Sequence, residues 1–573
     1  MRDFMAMQRR EDRKMKNVKT SFVKSLLGLV CLLVPMCAMA QTVVFPFPQN
    51  QGVPTIIDNV HQTPFQQQNH FLTFLGSFKP ESAATAKAYY DAIDPNKSKR
   101  TFVEWLVNAG FIHDASEWNP TGPQTVIKDP SQHGYAKILA DSHVIVLNAA
   151  DLGFVRNQFI RCVPSCTAKN PIVYTYLENY PVNPFAEFSA GHSGFPIKTG
   201  FATQAEATAA IQSAVNRPFG SLTSCSTGDT VLKCSIQRIA DVAFEWAPPE
   251  NNPTSKTRYG TTWAFLFNND LTETITVPAS SGIAGASIPN FANPNDNSLT
   301  IQVGDPFPPN LDFRGFKQHP GVCFMCHGGK PAKLTSTGAY PNGGNVSGFR
   351  FLPLDNRNLM FTSEGGASCD RSDPNVDLTS RACQEADIKA YNQAVLLTVG
   401  QGKESDGTGT VRQAHLAEVI KGWYANFEGD QTMSRATQNG DFIPVGWREP
   451  SHGGTAPANS ELLYKTVVAP SCRSCHFNRE ISLDFGTYKN FKQESDFSQL
   501  VLKPFCNAFD PFYTVDPKLR PMPAALLTYQ RFWEANTPTG VTLPDGTVLY
   551  NTAEQAANYF GFNGVQGYCA TNP

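Results

Sequence analysis

The sequence predicts an α+β fold, in which an N-terminal mixed α/β region is followed by mainly α-helical domains. Two observations lead to this prediction. The runs of β-branched and aromatic residues that are typical of strands fall before residue 300, between Pro-, Asn- and Gly-rich segments. Farther along, apolar residues recur at helical spacing, as in Val411–Tyr424. A chain of 573 residues is long enough for several domains.

The elements of the first region are expected in a defined order. Helical periodicity covers Ser82–Ile93, Thr101–Phe111 and Gln204–Val215. Runs typical of strands lie at His143–Leu147, Pro171–Leu177, Ile239–Trp246, Thr261–Phe267 and Leu271–Val277. The polar stretch Ala284–Ser298 is the best candidate for the boundary that ends this region.

Two copies of a five-residue pattern, Cys-x-x-Cys-His, carry the chemistry of the chain. This pattern is the attachment site of a c-type haem, in which both thiols bond the porphyrin and the histidine binds the iron. Cysteines three apart lie on one face of a helical turn, so both reach a single macrocycle. We therefore predict two haem c groups, bound covalently by Cys323, Cys326, Cys472 and Cys475, with His327 and His476 as proximal ligands.

Other uses of a Cys-x-x-Cys pair are less consistent with this sequence. A zinc ribbon needs a second cysteine pair close by, and a redox dithiol opens a helix after a strand in a βαβ unit. Neither context surrounds the two motifs. A disulfide within each motif is the remaining alternative.

The N-terminal segment predicts export. A basic stretch runs into an apolar stretch that ends at Ala38-Met39-Ala40, a small-x-small cleavage site. The apolar stretch is short for a membrane span and contains Pro35, although a retained anchor is the alternative. We expect cleavage after Ala40, a periplasmic or secreted location, and no stable membrane span after the signal is removed.

Charge narrows the class of partner. Removal of residues 1–40 leaves 39 basic and 46 acidic residues, a net charge of about −7. Binding of nucleic acid would require a basic stripe, which this composition does not favour. The expected partner is a redox protein, or a small-molecule electron donor or acceptor.

The remaining cysteines agree with export. Eight cysteines are left when the signal segment and the motifs are set aside, and an even number in an oxidising compartment is typical of disulfides. Free thiols are the alternative. Local spacing favours the pairs Cys162–Cys166, Cys225–Cys234, Cys369–Cys383 and Cys506–Cys569.

The second motif lies in a segment that resembles a class I cytochrome c domain. Ser460–Val468 precedes the motif as the first helix of that family does, and Arg520–Trp533 resembles its methionine loop and C-terminal helix. The resemblance covers roughly residues 459–536. It implies that His476 is the proximal ligand and Met522 the distal one, a soft thioether that raises the reduction potential. Packing of Met522 in a core is the alternative.

The first motif departs from that family's pattern, because Pro308, Pro309 and Pro320 exclude a long helix before it. Its distal ligand is left open between three possibilities. Met360 ranks first, since it follows the motif in a turn-rich segment, and His415 comes next. The third possibility is an open, five-coordinate iron.

The separation of the motifs bears on function. They begin 149 residues apart, which is similar to dihaem cytochrome c peroxidases, and the size of the chain resembles secreted dihaem oxygenases that cleave polyisoprene. The chain lacks the histidine that the peroxidase pattern places shortly after the first motif. The predicted function is electron transfer through two covalently bound haems, and peroxidase or oxygenase activity at the first haem is the alternative.

These inferences divide the chain into four parts. Residues 1–40 are the predicted signal peptide, and residues 41–300 form an α+β accessory domain without a haem motif. Residues 301–455 form the first haem-binding region. Residues 456–573 form a class I-like cytochrome c domain with a C-terminal tail.

Overall fold

The structure is a computed structural model, and the described residues all belong to one compact unit. It describes residues 82–118, 132–133, 136–148, 154–181, 204–215, 240–248, 260–268, 273–274, 304–309, 318–329, 332–346, 348–364, 369–373, 375–399, 412–427, 430, 432–477, 484–494 and 552–562.

The described helices begin with side-chain caps where the sequence provides them. Thr101 and Glu104 form a capping box, and Ser82 and Ser380 accept hydrogen bonds from backbone amides of the first turn. The α-helices are α1 (Ala83–Ile93), α2 (Phe102–Asn108), α3 (Gln204–Val215), α4 (Gly321–His327), α5 (Arg381–Thr398), α6 (Arg412–Trp423), α7 (Ser460–Leu463), α8 (Ala469–Ser471), α9 (Arg473–His476), α10 (Tyr488–Glu494) and α11 (Thr552–Tyr559). Shorter 3₁₀ turns lie at Ala115–Glu117, Pro341–Gly344, Asn356–Asn358, Val445–Trp447 and Pro450–His452.

A six-stranded antiparallel sheet organises the described residues. Two short strands, β1 (Gln132–His133) and β2 (Ala136–Lys137), pair with each other outside this sheet. The sheet strands are β3 (Ser142–Asn148), β4 (Phe154–Val163), β5 (Ile172–Pro181), β6 (Ala240–Ala247), β7 (Thr261–Phe267) and β8 (Leu359–Met360). Their order is β7-β6-β5-β4-β3-β8, so successive strands from β3 to β7 are neighbours and β8 joins from far along the chain.

The two faces of the sheet have different neighbours. Because cross-strand partners point to the same face, the register places Gln158, Thr175 and Phe244 on one side. The ring of Tyr176 lies on the other side, where it contacts Phe102 of α2. Helix α3 also covers that second side, through a small apolar cluster that contains Ile145, Leu147, Val155, Tyr180, Ala207 and Ile211.

The outer edge of β7 is covered by side chains from two other segments. The hydroxyl of Tyr89 accepts a hydrogen bond from the amide of Ala264 at 3.1 Å. The hydroxyl of Tyr90 accepts one from the amide of Leu266 at 3.2 Å. The ring of His319, which lies four residues before Cys323, stacks on Tyr90 with centroids 5.1 Å apart. These contacts satisfy edge groups that would otherwise pair with another strand.

The structure confirms the mixed α+β class and most of the predicted elements. Helices were expected at the positions of α1, α2, α3 and α6, and strands at those of β3, β5, β6 and β7, with ends that differ by a few residues. Strand β4 and helix α5 were not predicted. Of the expected strand Leu271–Val277, the structure describes residues 273–274, where Thr274 bridges Pro306.

Two further expectations concern larger features of the chain. Among the described helices, none has both the length and the apolar character that crossing a bilayer requires.

The domain boundaries at residues 300 and 455 stay predictions, and contacts cross both of them. Leu359 and Met360 of β8 pair with β3, and Asn358 is hydrogen-bonded to Ser474.

Candidate functional site

The first Cys-x-x-Cys-His motif occupies the short helix α4. Cys323 is buried, Cys326 is half-buried, and His327 is the last residue of the helix. Gly328 follows with a φ of 78°, a conformation that favours glycine and turns the chain away from the helix. The helix begins only at Gly321, directly after Pro320, which agrees with the expectation that no long helix leads into this motif. The histidine side chain is therefore presented at a fixed helix end.

The ring of His327 is oriented by a backbone carbonyl. Its Nδ1 lies 2.8 Å from the oxygen of Arg350, which can only accept, so Nδ1 carries the proton and Nε2 carries the lone pair. Burial lowers the pKa of His327 to about 4, and the positive charge of Arg156 acts in the same direction. The ring of Phe244 lies 4.4 Å away between centroids. A neutral imidazole with a fixed tautomer is the form that binds a metal through Nε2.

The second motif lies in a helical segment that changes its winding. Helix α7 continues as a π-helix over Tyr464–Val468, then as α8 and α9. Pro470 lacks an amide hydrogen, so the regular i to i−4 pattern is interrupted in front of the motif. His476 at the end of α9 is 8 % exposed, and its ring stacks on Phe485 with centroids 4.0 Å apart. The predicted helix before this motif is therefore present but irregular.

Residues of both motifs line one partly open cavity. Cys326 and His327 line it from α4, and Ser474 and Cys475 line it from α9. The remaining wall is formed by Asn148, Arg156, Gln158, Thr175, Leu177 and Phe244 of the sheet, by Phe351, Leu352, Pro353, Leu354, Asp355, Asn358 and Leu359, and by Tyr391 of α5. The two motifs, far apart in sequence, thus share one site.

The sheet wall of this cavity is polar. The side-chain amide of Gln158 donates to the hydroxyl of Tyr391, which also lies 3.3 Å from the hydroxyl of Thr175. Burial raises the pKa of Tyr391 to about 12, so the phenol is neutral at ordinary pH. The Nε of Arg156 donates to Asn179 at 3.2 Å. Hydrogen-bonding groups and one cation therefore line the cavity together with the motifs.

The structure does not bring Met360 to this cavity. Met360 pairs with Leu147, while the neighbouring Leu359 pairs with Asn148, so the two β8 side chains point to opposite faces of the sheet. Leu359 and Asn148 line the cavity. Met360 packs instead against the apolar cluster that contains Leu147. As placed here, its thioether and the imidazole of His327 lie on different sides of the sheet, which disagrees with the expectation that Met360 ligates the first iron.

His415, the second candidate for the distal ligand of the first iron, contacts another part of the chain. The Nδ1 of His415 is 3.1 Å from Asp484, and Gly486 packs directly against its ring. These residues flank Phe485, which stacks on His476, so His415 belongs to the surroundings of the second motif. Met522 lies outside the described residues.

The cysteines fall into two classes. Cys162–Cys166 and Cys369–Cys383 form disulfides, which confirms two of the predicted pairs. The pairs Cys225–Cys234 and Cys506–Cys569 lie outside the described residues. The four motif cysteines are thiols, which excludes the disulfide alternative in this structure. Within the described parts of the chain, the one group of three potential metal ligands contains Cys162 and Cys166, which bond each other, so the motif cysteines form no zinc-type cluster there.

The residues that hold the two motifs together were missed in the sequence. Arg473 and Ser474 are the two variable positions of the second motif, and both contact the turn at Asp355–Asn358. An arginine inside the second Cys-x-x-Cys-His motif was the available signal, but its partner is more than a hundred residues earlier. Only the folded chain reveals the pair.

The arrangement combines four thiols, two imidazoles at helix ends and a shared cavity, which together are suited to hold porphyrin and iron. A comparison with protein families, with characterised proteins and with solved structures found no match for this chain.

Proposed function

We propose that this protein is an exported dihaem c-type cytochrome that transfers electrons through two covalently bound haems. The observation that carries the proposal is the shared cavity, onto which Cys326 and His327 of one motif and Cys475 of the other all open. Two redox centres that share a cavity are close enough to exchange electrons without an intervening protein layer. A redox protein or a small-molecule donor or acceptor would supply and remove the electrons.

The residues present fit this cofactor. The cysteine thiols are reduced, as thioether formation requires, and the proton on Nδ1 of His327 is held by Arg350. His476 is buried against Phe485, which restricts the orientation of its ring. When bound, haem supplies an iron that gains and loses one electron at a potential set by its ligands and surroundings. The chain contributes ligation, burial and charge.

The resemblance of residues 459–536 to a class I cytochrome c domain extends the proposal. It supports a mainly helical haem domain in this part of the chain, with Met522 as the second axial ligand beside His476. The basic and apolar N-terminal segment, with its cleavage site after Ala40, supports a periplasmic or secreted location.

The experiment that tests this proposal is a mass measurement on protein made in an export-competent host. We expect a mass that exceeds the processed chain by two haem groups, and the loss of one group in each of Cys323→Ala and Cys472→Ala. A variant that removes the Cys369–Cys383 disulfide is the matched control, because it should keep both haems. One haem or none in the unmutated protein would refute the proposal.

A second candidate function is supported by the polar wall of the cavity. Of the described residues that line it, none carries a thioether and His327 alone carries an imidazole, whereas Arg156, Gln158 and Tyr391 offer hydrogen bonds. An iron held by His327 with no second protein ligand could bind peroxide or dioxygen beside these groups. This favours peroxidase or oxygenase activity at the first haem as the alternative to electron transfer alone.

A further inference from the structure

A buried ion pair connects the second motif to the wall of the cavity. Arg473 lies between the two cysteines of that motif and is 2 % exposed, and Asp355 is 4 % exposed. The guanidinium donates from Nε to one carboxylate oxygen at 2.8 Å and from Nη2 to the other at 2.7 Å. This is the two-bond geometry that makes arginine and carboxylate strong partners.

Aromatic residues enclose the pair. The guanidinium of Arg473 lies 5.1 Å from the ring of Trp423 and donates to the hydroxyl of Tyr464 at 3.1 Å. Burial lowers the pKa of Arg473, but the charges of Asp355 and Tyr464, together with the hydrogen bonds to both, raise it overall. The guanidinium is therefore charged, and the carboxylate that it bonds compensates this charge in a poorly solvated place.

The neighbouring residue of the motif is held by the same turn. Asn358 donates from its side-chain amide to the hydroxyl of Ser474 at 2.6 Å. Asp355 also accepts from the amide of Arg357 at 3.1 Å, which fixes its carboxylate at the start of the turn. The turn thus holds both variable positions of the second motif.

The same segment also reaches the first motif. The carbonyl of Arg350, five residues before Asp355, accepts the hydrogen bond from His327, and Leu359 directly after the turn pairs with β3. Residues 350–358 therefore run from the imidazole of one motif to the cysteine-bearing helix of the other. A shift of this segment would move both motifs.

We propose that Asp355 and Arg473 are positioning residues whose opposite charges balance each other beside the haems, so that neither charge alone shifts the reduction potentials. The inference rests on the proposed dihaem function. A negative charge near an iron favours the ferric state and lowers its potential, whereas a positive charge raises it. As a compensated pair, the two side chains fix the geometry of the motifs while adding little net field.

The test is a potentiometric titration of three variants that retain both haems. We expect Asp355→Asn, which leaves the guanidinium uncompensated, to raise the potential, and Arg473→Gln, which leaves the carboxylate uncompensated, to lower it. The double variant should return toward the wild-type potential. The haem of the second motif should shift more, because Arg473 lies within that motif.

Shifts of opposite sign in the two single variants indicate an effect of charge. If the substitutions only loosened the structure around the haems, both reduction potentials would change in the same direction. Arg473→Lys keeps the charge and should keep the potential, and Arg371→Gln, at an exposed ion pair with Asp387, is the control that should change nothing. If Arg473→Gln does not fold, the comparison of Asp355→Asn with Arg473→Lys tests the inference. A reduction potential that is raised in Asp355→Asn and unchanged in Arg473→Lys supports it. Shifts of the same sign, or none, would overturn it. Absence of haem in the unmutated protein would instead refute the proposed function.

Discussion

The ring of His319 donates from Nε2 to the backbone carbonyl of Ala264 at 2.8 Å, and its Nδ1 lies 3.5 Å from the sulfur of Cys323. One imidazole therefore joins the edge strand β7 to the first cysteine of the first motif. Because the carbonyl only accepts, Nε2 carries the proton and Nδ1, beside the sulfur of Cys323, carries the lone pair. The entry to the first motif is fixed to the sheet in this way.

This contact predicts a loss of stability in acid. Burial lowers the pKa of His319 to about 4, below its usual 6.5, so the unfolded chain binds a proton that the folded chain does not. The resulting stabilisation is complete above pH 6.5 and is lost as the pH falls toward 4, by up to about 3 kcal/mol. The check is the free energy of unfolding in urea between pH 4.5 and 7. In His319→Gln the dependence on pH over this window should become shallower, and an unchanged slope would contradict the assignment.

The polar wall of the cavity makes a second prediction. Tyr391→Phe removes the hydroxyl that accepts from Gln158 and leaves that amide buried without this acceptor. A loss of roughly 1 to 3 kcal/mol in the free energy of unfolding is expected. Chemical denaturation of both proteins measures it. The double variant Gln158→Leu with Tyr391→Phe should recover part of the loss, and equal stability of Tyr391→Phe and wild type would show that the contact contributes nothing.

Substitution of the two candidate methionine ligands should have different effects. Met522→Ala should lower the potential of the second haem and remove a weak sulfur-to-iron absorption band, because a thioether favours the ferrous state. Met360→Leu is the matched control and should leave both spectra unchanged, since Met360 packs in an apolar cluster on the other face of the sheet. A changed spectrum in Met360→Leu would place its sulfur at an iron after all.

A pure electron carrier and an enzyme would differ in the coordination of the iron at the proposed first haem. If the protein only carries electrons, both oxidised haems should be low-spin and the reduced protein should bind carbon monoxide poorly. If the cavity serves catalysis, one haem should show a high-spin fraction and bind carbon monoxide rapidly, because its sixth position is open. Peroxide turnover that is lost in His327→Gly and kept in Met522→Ala would assign catalysis to the first motif.

Local signals in the sequence predicted much of the fold. The runs that form β3 and β7 contain uninterrupted apolar stretches, and those of β3, β6 and β7 are rich in β-branched or aromatic residues, which is typical of buried strands. Strand β4 was missed because Arg156, Asn157 and Gln158 interrupt its apolar pattern. Two of these polar residues, Asn157 and Gln158, are buried, one against the side chain of Glu178 and the other against Tyr391. The buried polar residues of β4 therefore explain why its sequence does not show the pattern of a strand.

The motifs of the candidate site could be recognised in the sequence, whereas the geometry of the site could not. Each Cys-x-x-Cys-His motif is a local pattern, so the haem attachment that it indicates could be proposed from the sequence alone, and it stays a prediction. The face on which Met360 lies depends on the register between β8 and β3, and the partner of Arg473 depends on packing between distant segments. Neither is encoded by local spacing.

The position of β8, far after the other sheet strands in the sequence, constrains the order in which the chain can fold. Strands β3 to β7 are complete by residue 267, but the residues that cover the edge of β3 and the cavity face come from 359–360 and from α5. A chain that emerges from its N-terminus first must therefore keep that face uncovered until about a hundred further residues have followed. A fragment that ends near residue 300 should aggregate, whereas one that extends past Thr398 should stay in solution.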